Sequence, residues 1–106
     1  MAAMYSFIET KLFSRLLSDY LTDDEYAELQ ATLIDTPDRG ALVPGSGGVR
    51  KLRWSQPGRG KSGGVRVIYY ARTHEGMIWM LTIYAKNEEQ SIPAHVLRRI
   101  KEEIDG

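Results

Sequence analysis

Cysteine is absent from the 106 residues, which excludes a disulfide frame and a thiolate-bound metal. Histidine occurs only as His74 and His95, and no His/Asp/Glu group has metal-ligand spacing. A Ser-His-Asp or Cys-His arrangement cannot be assembled from these residues either. Neither a metal nor a cofactor is therefore expected. Apolar runs fall far short of the ~20 residues a membrane-spanning helix needs. The opening MAAMYSF has neither a basic n-region nor a long apolar h-region, so no signal peptide, no membrane association and a cytoplasmic location are expected. One further absence is local. No Asp or Glu lies between Arg39 and His74, although the chain holds 14 of them.

That window carries eight basic residues: Arg39, Arg50, Lys51, Arg53, Arg59, Lys61, Arg66 and Arg72. The formal net charge of zero thus hides a strong asymmetry. A Gly-rich cationic block that also holds Trp54, Tyr69 and Tyr70 suits phosphate. At 42% apolar and 26% charged residues, the chain reads as one folded domain, 1-106, with one small core.

The first third predicts a short strand over Met4 to Ile8, then helices. Leu12, Phe13, Leu16, Leu17 and Tyr20 recur at helical spacing. Thr22 and Glu25 form a Thr-x-x-Glu capping box for a second helix, with Tyr26, Leu29, Leu33 and Ile34 along one side and Pro37 as its stop. Asp23, Asp24 and Glu25 suit the positive end of that helix rather than a metal. Strands follow at Val49 to Trp54, Val65 to Arg72 and Met77 to Tyr84, the last two joined by a tight hairpin at Thr73 to Gly76. Ser91 can cap a final helix from about Ile92 to Glu103, with Val96, Leu97, Ile100 and Ile104 as its stripe. The predicted fold is α+β, a small antiparallel sheet with helices on one face, in the order β-α-α-β-β-β-α.

Two nucleotide-binding patterns are excluded. Gly60-Lys61-Ser62 ends like a P-loop, but the leading glycine of that motif is Ser55 here. Gly58, Gly60 and Gly63 spell G-x-G-x-x-G. Both motifs require a helix next, and Val65 to Tyr70 reads as a strand. An enzyme built from this chain must work with Lys, Arg, Tyr and Asn. Cationic side chains stabilise charge building on a phosphoryl group. RNA supplies its own nucleophile, the 2′-hydroxyl. A base is still required, and a Lys crowded by cations can serve.

Three segments carry a family resemblance. Gly47 to Arg53, the loop Gly58-Arg59-Gly60-Lys61-Ser62-Gly63-Gly64 running into Val65 to Tyr70, and Leu81 to Glu88 resemble the RelE/HigB family of bacterial toxins, in particular its HigB-like branch with a G-x-G-K-x-G-G loop. The element order is similar to that family's fold over nearly the whole chain. The resemblance implies a ribosome-dependent mRNA endonuclease acting in the ribosomal A site. Its partners would be the ribosome, mRNA and a cognate antitoxin, expected to be a helix-turn-helix protein, with DNA met only through that antitoxin.

Carried across position by position, the resemblance implies roles for individual residues. The basic pair on the first meander strand matches Lys51 and Arg53, two apart and so on one face. Either can hold the phosphate or take the 2′ proton, and Lys51 is the better base because Arg stays charged. The phosphate-clamping Arg matches Arg66. The polar end of the last strand matches Tyr84, Lys86 and Asn87, where the best-known members have Arg in place of Asn87. Tyr84 can stack on a base or relay a proton, and Lys86 can compensate for the missing Arg. Arg50, Arg59 and Lys61 are expected to bind RNA or ribosome. The alternative function is a non-catalytic RNA- or ribosome-binding module using the same cationic face. A DNA-binding repressor is less favoured, because no helix-turn-helix with a basic second helix is found. Tyr69, Tyr70, Trp54 and Trp79 are expected in the core, and Arg98, Arg99 and Lys101 on the exposed side of the last helix.

Overall fold

The structure, a computed structural model, describes residues 4–55, 64–88 and 92–106. Among them the chain forms strands β1 (Ser6–Glu9), β2 (Ala41–Leu42), β3 (Arg50–Trp54), β4 (Val65–Arg72) and β5 (Met77–Ala85). Its helices are α1 (Lys11–Tyr20), α2 (Asp23–Asp35) and α3 (Ala94–Asp105). The strands make one sheet in the order β1-β5-β4-β3-β2. The expected α+β class holds, and β3, β4 and β5 form the expected antiparallel meander.

Three features correct the expectation. First, the sheet is mixed, because β1 pairs with β5 in parallel. That pairing joins residues some seventy positions apart in the chain, as Phe7 with Ile78, and no local pattern encodes it. Second, β2 is an additional edge strand, two residues long between Gly40 and Val43, too short for any periodicity. Third, the helices do not share one face. Phe13, Leu29 and Leu33 of α1 and α2 pack on Leu52, Val67, Tyr69, Ile78 and Met80. Leu97 of α3 packs on Val49, Ile68, Leu81 and Tyr84, with Tyr70, Trp79, Ile100 and Ile104 around them. The signal was in β4. Its residues Val65 to Tyr69 are all buried, and a strand apolar on both faces needs cover on both.

Local choices explain most boundaries. The capping box at Thr22 forms in both directions: the Glu25 N–H donates to Thr22 Oγ1 at 3.1 Å, and the Thr22 N–H donates to Glu25 Oε1 at 2.8 Å. Thr10 caps α1 by accepting from the Phe13 N–H, and its hydroxyl donates to the Leu81 carbonyl at 2.8 Å. Leu81 sits where the register slips: Ile68 opposes Thr82 but Tyr69 opposes Met80. The bulge leaves one extra residue on β5, and Thr10 supplies the partner its carbonyl would otherwise lack. The hairpin after β4 is a 3₁₀ turn, Thr73–Glu75, ended by Gly76 at φ 68°. α3 begins at Ala94 behind Pro93, and the expected cap Ser91 lies outside the described residues.

The two cores dispose of most aromatic side chains. Tyr69 is fully buried, and Trp54 and Trp79 pack against opposite faces of the sheet. Tyr70 donates to Asp105 at 2.9 Å. Arg98 and Arg99 are exposed on α3 as expected, with Arg98 reaching Glu102 at 3.5 Å, whereas Lys101 is half-buried and reaches Asp105 at 2.8 Å.

Candidate active site

α3 covers only part of its face of the sheet. Directly opposed residues in an antiparallel pair project to the same side. Arg53 opposes Arg66, and Arg66 opposes Tyr84, which makes a row across β3, β4 and β5 on the α3 face. Lys51, two residues before Arg53, opposes Ile68 and projects the same way. Lys86 follows from the 3₁₀ turn Lys86–Glu88 at the end of β5. Lys51, Arg53, Arg66, Tyr84 and Lys86 together line a cavity of about 290 Å³.

Depth divides the five. Arg66 is 9% exposed and Tyr84 6%, so they form the floor, whereas Lys51, Arg53 and Lys86 are exposed around the rim. Tyr84 is also part of the core with Val49, Ile68, Leu81 and Leu97, which fixes its ring. The Lys86 N–H donates to the Gly64 carbonyl at 3.3 Å, tying the turn to the start of β4. A wider groove of about 500 Å³ beside β2, lined partly by Arg39 and Leu42, shares Lys51 and Arg53 with this cavity. It is larger, but Arg66 and Tyr84 line only the smaller one of the two.

Arg53 directly opposite Arg66 sets two like charges across one ladder, an arrangement that costs stability unless other groups offset it. Two guanidinium forks so placed can bind a phosphodiester through parallel N–H donors.

Of the other residues singled out in the sequence, Arg50 stands apart. It opposes Tyr69 and therefore faces α2, where its Nη1 donates to the carbonyls of Gly40 at 2.7 Å and Asp38 at 3.2 Å. Arg50, expected to bind RNA or ribosome beside Lys51 and Arg53, lies on the other side of the sheet from them, because strand alternation turns it away. Arg59 and Lys61 lie outside the described residues, and of Asn87 only the main chain, in the 3₁₀ turn, is described. His74 and His95 are exposed and are not among the residues that line the cavity. No group of three metal-ligating side chains occurs among the described residues. No helix among them is long and apolar enough to cross a membrane.

Sequence reading missed the polar contacts that position the site. The Tyr69 hydroxyl donates to the Pro37 carbonyl at 2.7 Å and accepts the Gly40 N–H at 2.9 Å, holding the turn that leads into β2. Tyr20 donates to Glu88 at 2.7 Å, beside Lys86. Both join residues far apart in the chain, and no local spacing signals them.

The model of the RelE toxin of the RelE/RelB toxin–antitoxin system matches residues 8–103, and the chain belongs to that family. A cognate antitoxin partner is implied by that membership. Among solved structures, a double-arginine mutant of the Escherichia coli toxin RelE in the free state aligns with a TM-score of 0.55 at 11% identity, covering 92% of this chain and 97% of that one. At that identity the match speaks for the fold.

Proposed function

We propose that this RelE-family toxin is a ribosome-dependent mRNA endonuclease, and that its loop from Gly58 to Gly64 places it in the HigB-like branch. The observation that carries the reading is Arg53 set directly opposite Arg66 above the Tyr84 floor. A scissile phosphodiester seated there meets Arg66 from below and Arg53 from the rim. Lys51 takes the proton from the 2′-hydroxyl as its oxygen bonds to phosphorus. The phosphorus–5′-oxygen bond breaks, and the departing oxygen takes a proton from the Tyr84 hydroxyl, leaving a 2′,3′-cyclic phosphate and a 5′-hydroxyl end. The buried ring of Tyr84 has no free face for stacking a base, which favours the proton-relay role. Lys86 supplies the second cation on the leaving-group side, where better-known relatives carry Arg in place of Asn87.

The ribosome's part is orientation. The five side chains that line the cavity among the described residues can hold a phosphate, and bending the RNA strand into line is left to the ribosome. A ribosome that presents the message already bent supplies that orientation, which is worth several powers of ten in rate. Arg59 and Lys61 of the Gly-rich loop contribute to ribosome association. The antitoxin partner is taken to be a helix-turn-helix protein, and the place of action the bacterial cytoplasm. Mapping the 5′ ends of cellular messages after induction tests the proposal. New ends within translated messages are expected. Intact messages with folded toxin present would refute it.

A further inference from the structure

Lys86 brings its positive charge to the cavity rim from a turn that also carries Glu88. A carboxylate on the same turn that was free to swing toward the cavity would offset the charge of Lys86 and repel a phosphodiester. The structure holds that carboxylate elsewhere. Its Oε1 accepts the Tyr20 hydroxyl at 2.7 Å. Tyr20 is the last residue of α1, and its ring packs on the core of the opposite face. The main chain of Ala85 reaches the same hydroxyl, and the phenol titrates above its ordinary value, with the Glu88 hydrogen bond the largest cause, then burial. The turn is thus held from two sides, by Tyr20 on the α1 side and by Gly64 through the Lys86 N–H. The Tyr20–Glu88 bond is exposed, so its effect on global stability is small. Its effect on direction is not, because a rigid ring presents the donor.

We propose that Tyr20 is a positioning residue: it sequesters the Glu88 carboxylate on the α1 side of the sheet and thereby keeps Lys86 available to the RNA phosphate. The inference rests on the endonuclease reading above. It identifies α1, which contributes no residue to the cavity lining, as a determinant of the rate.

The test uses the full chain and single-turnover cleavage on programmed ribosomes. Tyr20→Phe removes only the hydroxyl. Its rate should fall by a factor on the order of 10 to 10², the scale of misplacing one group by about 1 Å, while the half-saturating ribosome concentration changes much less. Glu88→Gln alone should stay near the wild-type rate, because its amide oxygen still accepts from Tyr20 and carries no charge. The double variant Tyr20→Phe/Glu88→Gln should recover most of the lost rate, since a neutral amide cannot neutralise Lys86. A merely structural Tyr20 would give no such recovery. Wild-type rates in Tyr20→Phe, or a double variant as slow as the single, overturn the proposal. Amide hydrogen exchange of Lys86 decides the latch without cleavage: faster exchange in Tyr20→Phe supports it, and unchanged exchange overturns it. A wild-type toxin that cuts no message would instead sink the endonuclease reading and leave the exchange result to judge the latch.

Discussion

The hydroxyl of Tyr69 accepts the main-chain N–H of Gly40 at 2.9 Å inside the α2-side core. The same oxygen donates to the Pro37 carbonyl, so one buried group satisfies both sides of the turn between α2 and β2. Burial also raises the phenol above its ordinary value, keeping it a donor. Tyr69→Phe should therefore cost about 1–3 kcal/mol, the penalty for orphaning buried polar groups. Gly40→Ala should cost about as much by a different route, because the new methyl carbon would lie 2.9 Å from the Tyr69 ring and 3.0 Å from the Lys51 carbonyl. Urea midpoints at unchanged slope measure both. Strict additivity in the double variant would contradict the shared contact.

Lys51 and Arg66 are expected to govern the chemical step. Lys51→Ala and Arg66→Ala should each lower the single-turnover rate by about 10²–10³-fold, the usual loss for one preorganised charge-stabilising group. Arg59→Ala and Lys61→Ala should instead weaken ribosome association mildly, with a shallower salt dependence. Parallel loss of binding and cleavage in all four variants would favour a non-catalytic binding module.

Arg50 separates structure from function on the same strand. Its bonds to the Gly40 and Asp38 carbonyls brace the turn before β2. Arg50→Ala should lower stability by roughly 1–2 kcal/mol while cleavage by the remaining folded protein stays near wild type. A rate loss as large as that of Lys51→Ala, with stability intact, would return Arg50 to the RNA-binding face.

The Arg53–Arg66 opposition predicts a trade. Arg53→Gln should raise stability by about 0.2–1 kcal/mol, by removing a like-charge pair from the ladder, while ribosome association weakens and its salt slope flattens. Thermal unfolding read beside the binding isotherms checks both signs. A variant that loses stability shows that the two guanidinium groups are not in conflict.

Acid should loosen α3 first. The Asp105 carboxyl is held below its ordinary value of 3.8, chiefly by the hydrogen bond from Lys101, with Tyr70 and Arg72 adding to it. Because the folded state depresses this group, its stabilisation is fully present above the unfolded value and is lost as pH falls through the folded one. Asp105→Asn should flatten that acid limb of the stability profile, as followed by tryptophan emission, since Trp79 lies under α3. An identical acid limb in the variant would remove Asp105 as its cause.

Much of this protein is legible locally. The capping box, the helical spacing of α1 and α2, and the three meander strands follow from propensity and period, which depend on neighbours a few residues away. The faces of Lys51, Arg53 and Arg66 follow from strand alternation once the hairpins are assumed, and so does the opposite face of Arg50. What tertiary structure alone decided depends on contacts between distant segments. The parallel docking of β1 on β5, the two-residue strand β2, α3 on the far face and the bulge at Leu81 all arise there. So does the row Arg53–Arg66–Tyr84, which exists only in the register of three strands. Composition placed a cationic block in the chain. Pairing register decided which of its charges stand together, because a one-residue slip would turn each of them to the other side of the sheet.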